Sequence, residues 1–446
     1  MPPSIARLAE QAVWLYFRVA LSAFFRDITV SGAARVPSSG PVLLLPNHLN
    51  AFVDPLLIRL SLRRDMTITA KSPLAARPLF APLMRLARVI PFHRALDQGG
   101  TAVPRQLAME SFTACQERLA DGAALCVFPE GVSHEDPLMR PFKPGPGRIA
   151  LDFIAQGRDL AIVPVGLNFE AKEHFRSRLW LRFGPPLDAR GWLAAQPAAQ
   201  PHALMAEMRG RVGSLIVELP GRREGLVLRW AAGLLVCAGQ GRTPFWSAAV
   251  PFPKIVMATA ALRDGGLPGS ALYRRARAFR GQLRRLGLNP EDVFLRRDPA
   301  RLAGAAIAAA AALVLCGPFL AWGAVMNALP AAAVTYLTRR RSHLPDLWAS
   351  NAVFFGLVCF PPAYIGQVLA ASAWLPGGWL AVYALSLPVS GYAALLYYDR
   401  LRAQIHDARA LWTLRDSRLH AGLRAEAKAL LAELRQSAAG GARGDR

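Results

Sequence analysis

The sequence predicts an α/β domain built on a mixed, mostly parallel sheet flanked by helices, followed by helical and transmembrane-helix regions. Three observations predict it. Short apolar runs alternate with helix-length segments over residues 39–190, as they do when a largely parallel sheet is buried on both faces. Two later stretches, 303–337 and 347–398, contain no Asp, Glu, Lys or Arg, and each exceeds the about 20 residues that cross a bilayer. Basic residues flank those stretches: Arg296, Arg297 and Arg301 before the first, Arg339, Arg340 and Arg341 between them, Arg400 and Arg402 after the second.

Each element follows from local chemistry. Residues 1–38 are expected to form an N-terminal interfacial membrane helix. The apolar stretch 12–25 is interrupted by Arg18 and carries Trp14, Tyr16 and Phe17, which suits an interface better than a span or a cleaved signal peptide. Strands are expected at 42–45, 66–70, 89–92, 124–128, 162–165 and 179–183, with helices at 104–120 and 148–156 between them. Residues 191–300 read as helices with Arg-rich faces, broken at Gly265-Gly266 and Pro268-Gly269. Residues 301–400 read as transmembrane hairpins. The positive-inside rule places all three basic clusters on the cytoplasmic side, so each apolar run must enter and leave. Four short spans or two re-entrant hairpins satisfy this, with breaks near Gly317-Pro318 or Asn327 and near 374–378. Residues 401–446 read as a helical cytoplasmic tail.

Composition narrows the function classes. The chain has 446 residues, 53% of them hydrophobic, and a net charge of +23. Its mean hydropathy of +0.24 is high for a soluble protein. A nucleic-acid role is the other reading of so basic a chain, but the Arg residues are scattered and partly flank the apolar runs. Cys115, Cys126, Cys237, Cys316 and Cys359 form no CxxC pair and no metal-ligand spacing; they read as small buried residues in a reducing compartment. No metal site is expected, and His93, His134 and His174 read as polar loop residues.

The segment "PNHLNAFVDP", residues 46–55, leaves the C-terminal end of a strand, where ligands bind in α/β sheets. Asp54 suits a helix N-cap and Pro55 the first helical position. His48 and Asp54 also suit a general base and the carboxylate that orients it. The segment alone leaves both readings open. Downstream, the strand at 124–128 runs into "FPEG", which brings Glu130 and Gly131 to the same sheet edge, and the strand at 89–92 ends at His93-Arg94. These three strand ends suit a substrate with a hydroxyl to deprotonate and a phosphate to bind.

In this order the motifs resemble the glycerolipid acyltransferase family, the glycerol-3-phosphate and lysophosphatidate acyltransferases. Asn47, His48 and Asp54 match its NHxxxxD motif, and 90–94 matches the apolar strand ending in Arg. Residues 128–131 match FPEG, and 162–166 match the strand around Val-Pro. The resemblance covers about residues 40–190 and implies a glycerol-3-phosphate acyltransferase-like fold, so 39–190 is expected to be the acyltransferase domain. The family usually continues FPEG with Thr-Arg-Ser; here Val132, Ser133 and His134 follow. The longer pattern "FPEGVSHEDPLMRPFKPG" is similar to the fungal-type glycerol-3-phosphate/dihydroxyacetone-phosphate acyltransferase subgroup.

The resemblance implies acyl transfer from an acyl thioester, acyl-CoA or acyl-carrier protein, to the hydroxyl of glycerol-3-phosphate or a related phosphorylated acceptor. A lysophosphatidate acceptor is the alternative, and a catalytically silent lipid-binding scaffold is the reading from a different class. His48 and Asp54 are the expected catalytic pair, and no cofactor is expected. Asn47, Arg94, Glu130, Gly131 and Lys143 are expected at the substrate, with Lys143 or Arg176 replacing the Arg that is Ser133 here. An acyl-enzyme is disfavoured: no G-x-S-x-G elbow occurs, Cys126 lies inside a strand, and Ser133 has only His134 nearby as a base. The expected setting is multi-pass in a bacterial inner membrane, with the catalytic domain on the cytoplasmic face and membrane lipid as partner.

Overall fold

The computed structural model describes residues 3–71, 89–92, 105–134, 136, 138–198, 200–219, 221–238, 250–295, 299–342 and 344–443. The chain divides into two compact units. One comprises Met1–Glu218 with Thr338–Leu357, the other Leu219–Leu337 with Val358–Arg446.

The first unit holds the sheet. Its strands are β1 (Asp27–Ser31), β2 (Val42–Pro46), β3 (Met66–Lys71), β4 (Val89–Phe92), β5 (Ala124–Cys126), β6 (Ala161–Phe169), β7 (Arg178–Phe183) and β8 (Leu187–Asp188). The order across the sheet is β1-β7-β6-β2-β5-β3-β4, with β8 pairing β6. The β6–β7 and β6–β8 pairs are antiparallel and the other pairs are parallel.

Continuous apolar strands reflect burial on both faces. Val42 and Leu44 enter one core layer, together with Cys126, Val163 and Val165. Leu43 and Leu45 enter the opposite layer with Leu125 and Ile162. Each fully buried side chain of this kind contributes about 1.5–3 kcal/mol relative to exposure. Helix α1 (Pro3–Phe24) and α2 (Val53–Ser61) cover the first layer. Helices α3 (Arg105–Ala120), α4 (Gly145–Ala155) and α6 (Pro201–Gly213) cover the second; the short α5 (Ala189–Ala195) follows β8.

The N-terminal helix packs one face on the domain and exposes Leu8, Leu15, Tyr16 and Val19 on the other. Phe17, Leu21, Phe24 and Phe25 are buried in the core, and β1 behind them pairs with β7. A helix end that close to a sheet needs its last carbonyls satisfied. Arg176 does this: its guanidinium donates to the carbonyls of Ser22 (2.8 Å) and Ala23 (3.0 Å). The side chain is buried, so Arg176 is a structural clamp rather than a replacement phosphate contact.

The second unit contains α7 (Arg222–Cys237), α8 (Phe252–Asp264), α9 (Ala271–Arg285) and α13 (Ser417–Arg443), with the longer apolar helices α10 (Pro299–Arg341), α11 (Pro345–Ala371) and α12 (Gly377–Thr413). The last turn of α10 and the start of α11, within Thr338–Leu357, belong to the first unit. Three helical stretches, Leu302–Arg341, Leu347–Ala371 and Gly377–Thr413, are long and apolar enough to cross a membrane. The second charge-free run breaks where expected, between α11 and α12. The first does not: α10 is continuous through Gly317, Pro318, Asn327 and Pro330.

These breakers act differently where water is excluded, because an apolar setting penalises unpaired backbone and favours unbroken helix. Asn327 binds helices together instead of ending one. Its amide donates to Leu387 O (3.1 Å) and accepts from Tyr364 Oη (2.6 Å), and Gln367 donates to Met326 O (2.9 Å). Gly323 and Gly391 allow the close approach: a Cβ at Gly323 would strike the Ser390 carbonyl, and one at Gly391 the Asn327 amide.

Replacing Arg176 with Met is expected to cost about 1.5–3 kcal/mol, the range for buried hydrogen bonds to a charged group. Denaturation of the purified chain, followed by Trp fluorescence, measures it.

Candidate active site

The sheet brings two loops together. Strand β2 lies between β5 and β6, in parallel register with both, Val42 opposite Ala124 and Ala161. The loop after β2 carries His48 and the loop after β5 carries Glu130, so neighbouring parallel strands deliver both to one sheet edge.

Asp54 organises the first loop. Its Oδ2 accepts the backbone N–H of Leu49 (2.7 Å) and of Asn50 (2.7 Å) and faces His48 Nδ1 at 3.1 Å. The Asp54 side chain is fully buried and that of His48 is 12% exposed. Nδ1–H donates to the carboxylate, which leaves Nε2 as the basic nitrogen of the ring. Phe128 stacks on the imidazole, with centroids 3.9 Å apart and planes 27° apart, and this fixes the plane of the ring.

Asp54 is not the N-cap that its neighbour Pro55 suggests. Helix α2 begins at Val53, and the residue in the cap position is Phe52. The N–H groups of Phe52 and Val53 donate to Ser350 Oγ, at 2.9 and 3.4 Å. A side chain almost three hundred residues away caps the helix, and this frees the Asp54 carboxylate for the loop. No local signal points to Ser350.

The other expected site residues fall into different roles. Asn47 is buried and bonds both ways to the Leu167 backbone: its Nδ2 donates to the carbonyl (3.2 Å) and its Oδ1 accepts the N–H (2.8 Å). It extends β2 against β6. Glu130 is also buried. Its Oε1 accepts His48 N–H (2.7 Å), while Oε2 accepts Arg140 N–H (2.7 Å) and faces His134 Nε2 at 2.5 Å. It joins the two loops. Gly131 has φ +78°, a conformation that favours glycine, and the Lys143 ammonium lies over it, 2.6 Å from where a Cβ would be. Lys143 is exposed at this loop, its own N–H donating to Pro129 O (2.9 Å). Arg94 and His93 lie outside the described residues.

Sequence reasoning missed Phe128 as a ring support, although it stands in the FPEG motif, and missed Lys172. The Lys172 ammonium donates to the carbonyls of His134 (2.6 Å) and Leu49 (3.2 Å). Cys126 is unsuited to be a nucleophile: burial pushes its thiol far above its ordinary range, and the Asp54 carboxylate adds to the effect. Among the described residues no group of three or more His, Cys, Asp or Glu is placed to hold a metal ion.

Residues 27–168 match the acyltransferase family model. Residues 27–168 form an acyltransferase-family domain. An uncharacterized acyltransferase of Schizosaccharomyces pombe is 27% identical over 261 residues, 40% of this chain and 38% of that one. Glycerol-3-phosphate O-acyltransferase 1 of Saccharomyces cerevisiae is 23% identical over 268 residues, 42% of this chain and 35% of that one. A chloroplast 1-acyl-sn-glycerol-3-phosphate acyltransferase of Arabidopsis thaliana is 28% identical over 144 residues, 32% of this chain and 36% of that one. The chain thus spans little more than a third of the length of each of these relatives.

Asp54→Asn keeps an oxygen for the Leu49 and Asn50 amides but removes the charge beside His48. Turnover is expected to fall by roughly 10³-fold or more, with KM little changed. Steady-state kinetics on the purified variant measure the split.

Proposed function

We propose that the chain is a membrane-bound O-acyltransferase of phospholipid synthesis. It moves a fatty acyl group from an acyl thioester to the hydroxyl of glycerol-3-phosphate or a related phosphorylated acceptor. The observation that carries this reading is the His48–Asp54 pair, 3.1 Å apart, with the ring held against Phe128 and Nε2 left as the base.

An alcohol is a weak nucleophile near neutral pH and needs a base within hydrogen-bond reach. His48 Nε2 takes the acceptor's hydroxyl proton as its oxygen attacks the thioester carbonyl. The charge of Asp54 stabilises the imidazolium that forms. Collapse of the tetrahedral species breaks the C–S bond, and the imidazolium returns its proton to the departing thiolate. Both substrates are bound together, with no acyl-enzyme; the raised Cys126 thiol supports this direct route. The donor thiol belongs to coenzyme A or to an acyl-carrier protein.

The Lys143 ammonium, set over Gly131 on the loop that Glu130 ties to His48, supplies charge for the acceptor phosphate, with Arg94 as the second cation. A lysophosphatidate acceptor is the second reading, favoured by the Arabidopsis relative named for that class of substrate. The apolar helices hold the domain at the membrane, where a lipid product can leave sideways into the leaflet. Their basic flanks favour the cytoplasmic face and anionic lipid.

The test is a panel of acceptors with one labelled acyl thioester on membranes containing the chain. His48→Ala is expected to abolish labelled lipid; equal product from variant and parent contradicts the enzyme reading and favours a silent scaffold. Lys143→Ala is expected to raise KM for phosphorylated acceptors by about tenfold, the loss of one charge-assisted contact. Unchanged acceptor kinetics reject that contact.

A further inference from the structure

His134 stands where the family pattern ordinarily has Ser, and the proposed reaction does not use it. Its imidazole is 2% exposed and faces Glu130, whose carboxylate is fully buried, at 2.5 Å from Nε2. A ring so buried and committed touches no substrate. Its other nitrogen, Nδ1, has no hydrogen-bond partner among the described residues and lies 3.6 Å from Asp136 Oδ2, beyond hydrogen-bond length.

We propose that His134 is a positioning residue for His48, acting through Glu130; the proposal rests on the acyl-transfer reading above. A buried carboxylate is costly unless it is hydrogen-bonded. Glu130 Oε1 spends itself on the His48 N–H, and Oε2 is shared between Arg140 N–H and the His134 ring. Nε2–H of His134 therefore fixes the rotamer in which Oε1 faces His48. Lys172 braces the same arrangement from the other side by tying the His134 carbonyl to that of Leu49, the residue after His48. Asp54 holds the ring of His48, and Glu130 with His134 holds its backbone. The two anchors hold different amides: Asp54 bonds Leu49 and Asn50 N–H, and Glu130 bonds His48 N–H.

This predicts a selective loss. A catalytic base displaced by about 1 Å can lose about 10²-fold in rate. In the full chain, purified into lipid nanodiscs, His134→Ala is expected to lower kcat by about that factor while KM for donor and acceptor stays within about twofold. His134→Gln restores an N–H near the position of Nε2 and is expected to recover most of the rate. His134→Ala with unchanged kcat, or His134→Gln as slow as His134→Ala, overturns the proposal.

Residue-resolved amide exchange reads the same anchor without turnover. In His134→Ala the His48 amide is expected to exchange at least about tenfold faster, while Leu49 and Asn50, held by Asp54, stay slow. Acceleration of all three, or of none, contradicts the proposal. The parent chain's own turnover tests the acyl-transfer reading, so failure of that reading and failure of this one are told apart.

Discussion

One carboxylate oxygen organises the loop after β2. Asp54 Oδ2 gathers two backbone amides and one imidazole N–H within 3.1 Å. Three donors on one buried oxygen compensate the cost of burying its charge. The same bonds curl residues 48–50 into the turn that lets His48 fold back onto its orienter. A general base is useful only if its free nitrogen points the same way in every molecule, and this contact sets both the tautomer and the direction.

The rest of the unit supports that contact. Because β2, β5 and β6 are parallel neighbours, Glu130 reaches the His48 backbone and Asn47 locks the strand end onto Leu167. Phe128 fixes the ring plane from the β5 side. Ser350 caps α2, so Asp54 need not. The pair of carboxylates divides the work: one sets the ring of His48 and the other its main chain.

Much of this was legible in the sequence. The apolar runs mark β2 to β7 because strands buried on both faces must be continuously apolar, and the loops after β2 and β5 stand out by their His, Asp, Glu and Gly. Strand β1, "DITVS", carries the alternation of a half-buried strand, a signal that the assignment of residues 1–38 to one membrane helix passed over. The scaffold bonds of Asn47 and Glu130 were not legible for a common reason. A polar residue in a motif can serve the substrate or the scaffold, and the scaffold part appears only once Leu167, Arg140 and His134 are in place. Ser350 and Arg176 act over distances that no local pattern records. The Gly317-Pro318 step reads as a break by the rules of soluble chains, whereas a helix in an apolar setting continues through it.

The proposed base requires that His48 carry its proton on Nδ1. Nitrogen-15 NMR of the histidine-labelled chain, with His48 assigned by comparison with the His48→Ala variant, observes this directly. Under conditions where the ring is neutral, a protonated Nδ1 and a bare Nε2 are expected. A neutral ring with its proton on Nε2 would contradict the proposed base, because Asp54 would then have no N–H to hold and Nε2 no lone pair with which to take the acceptor's proton.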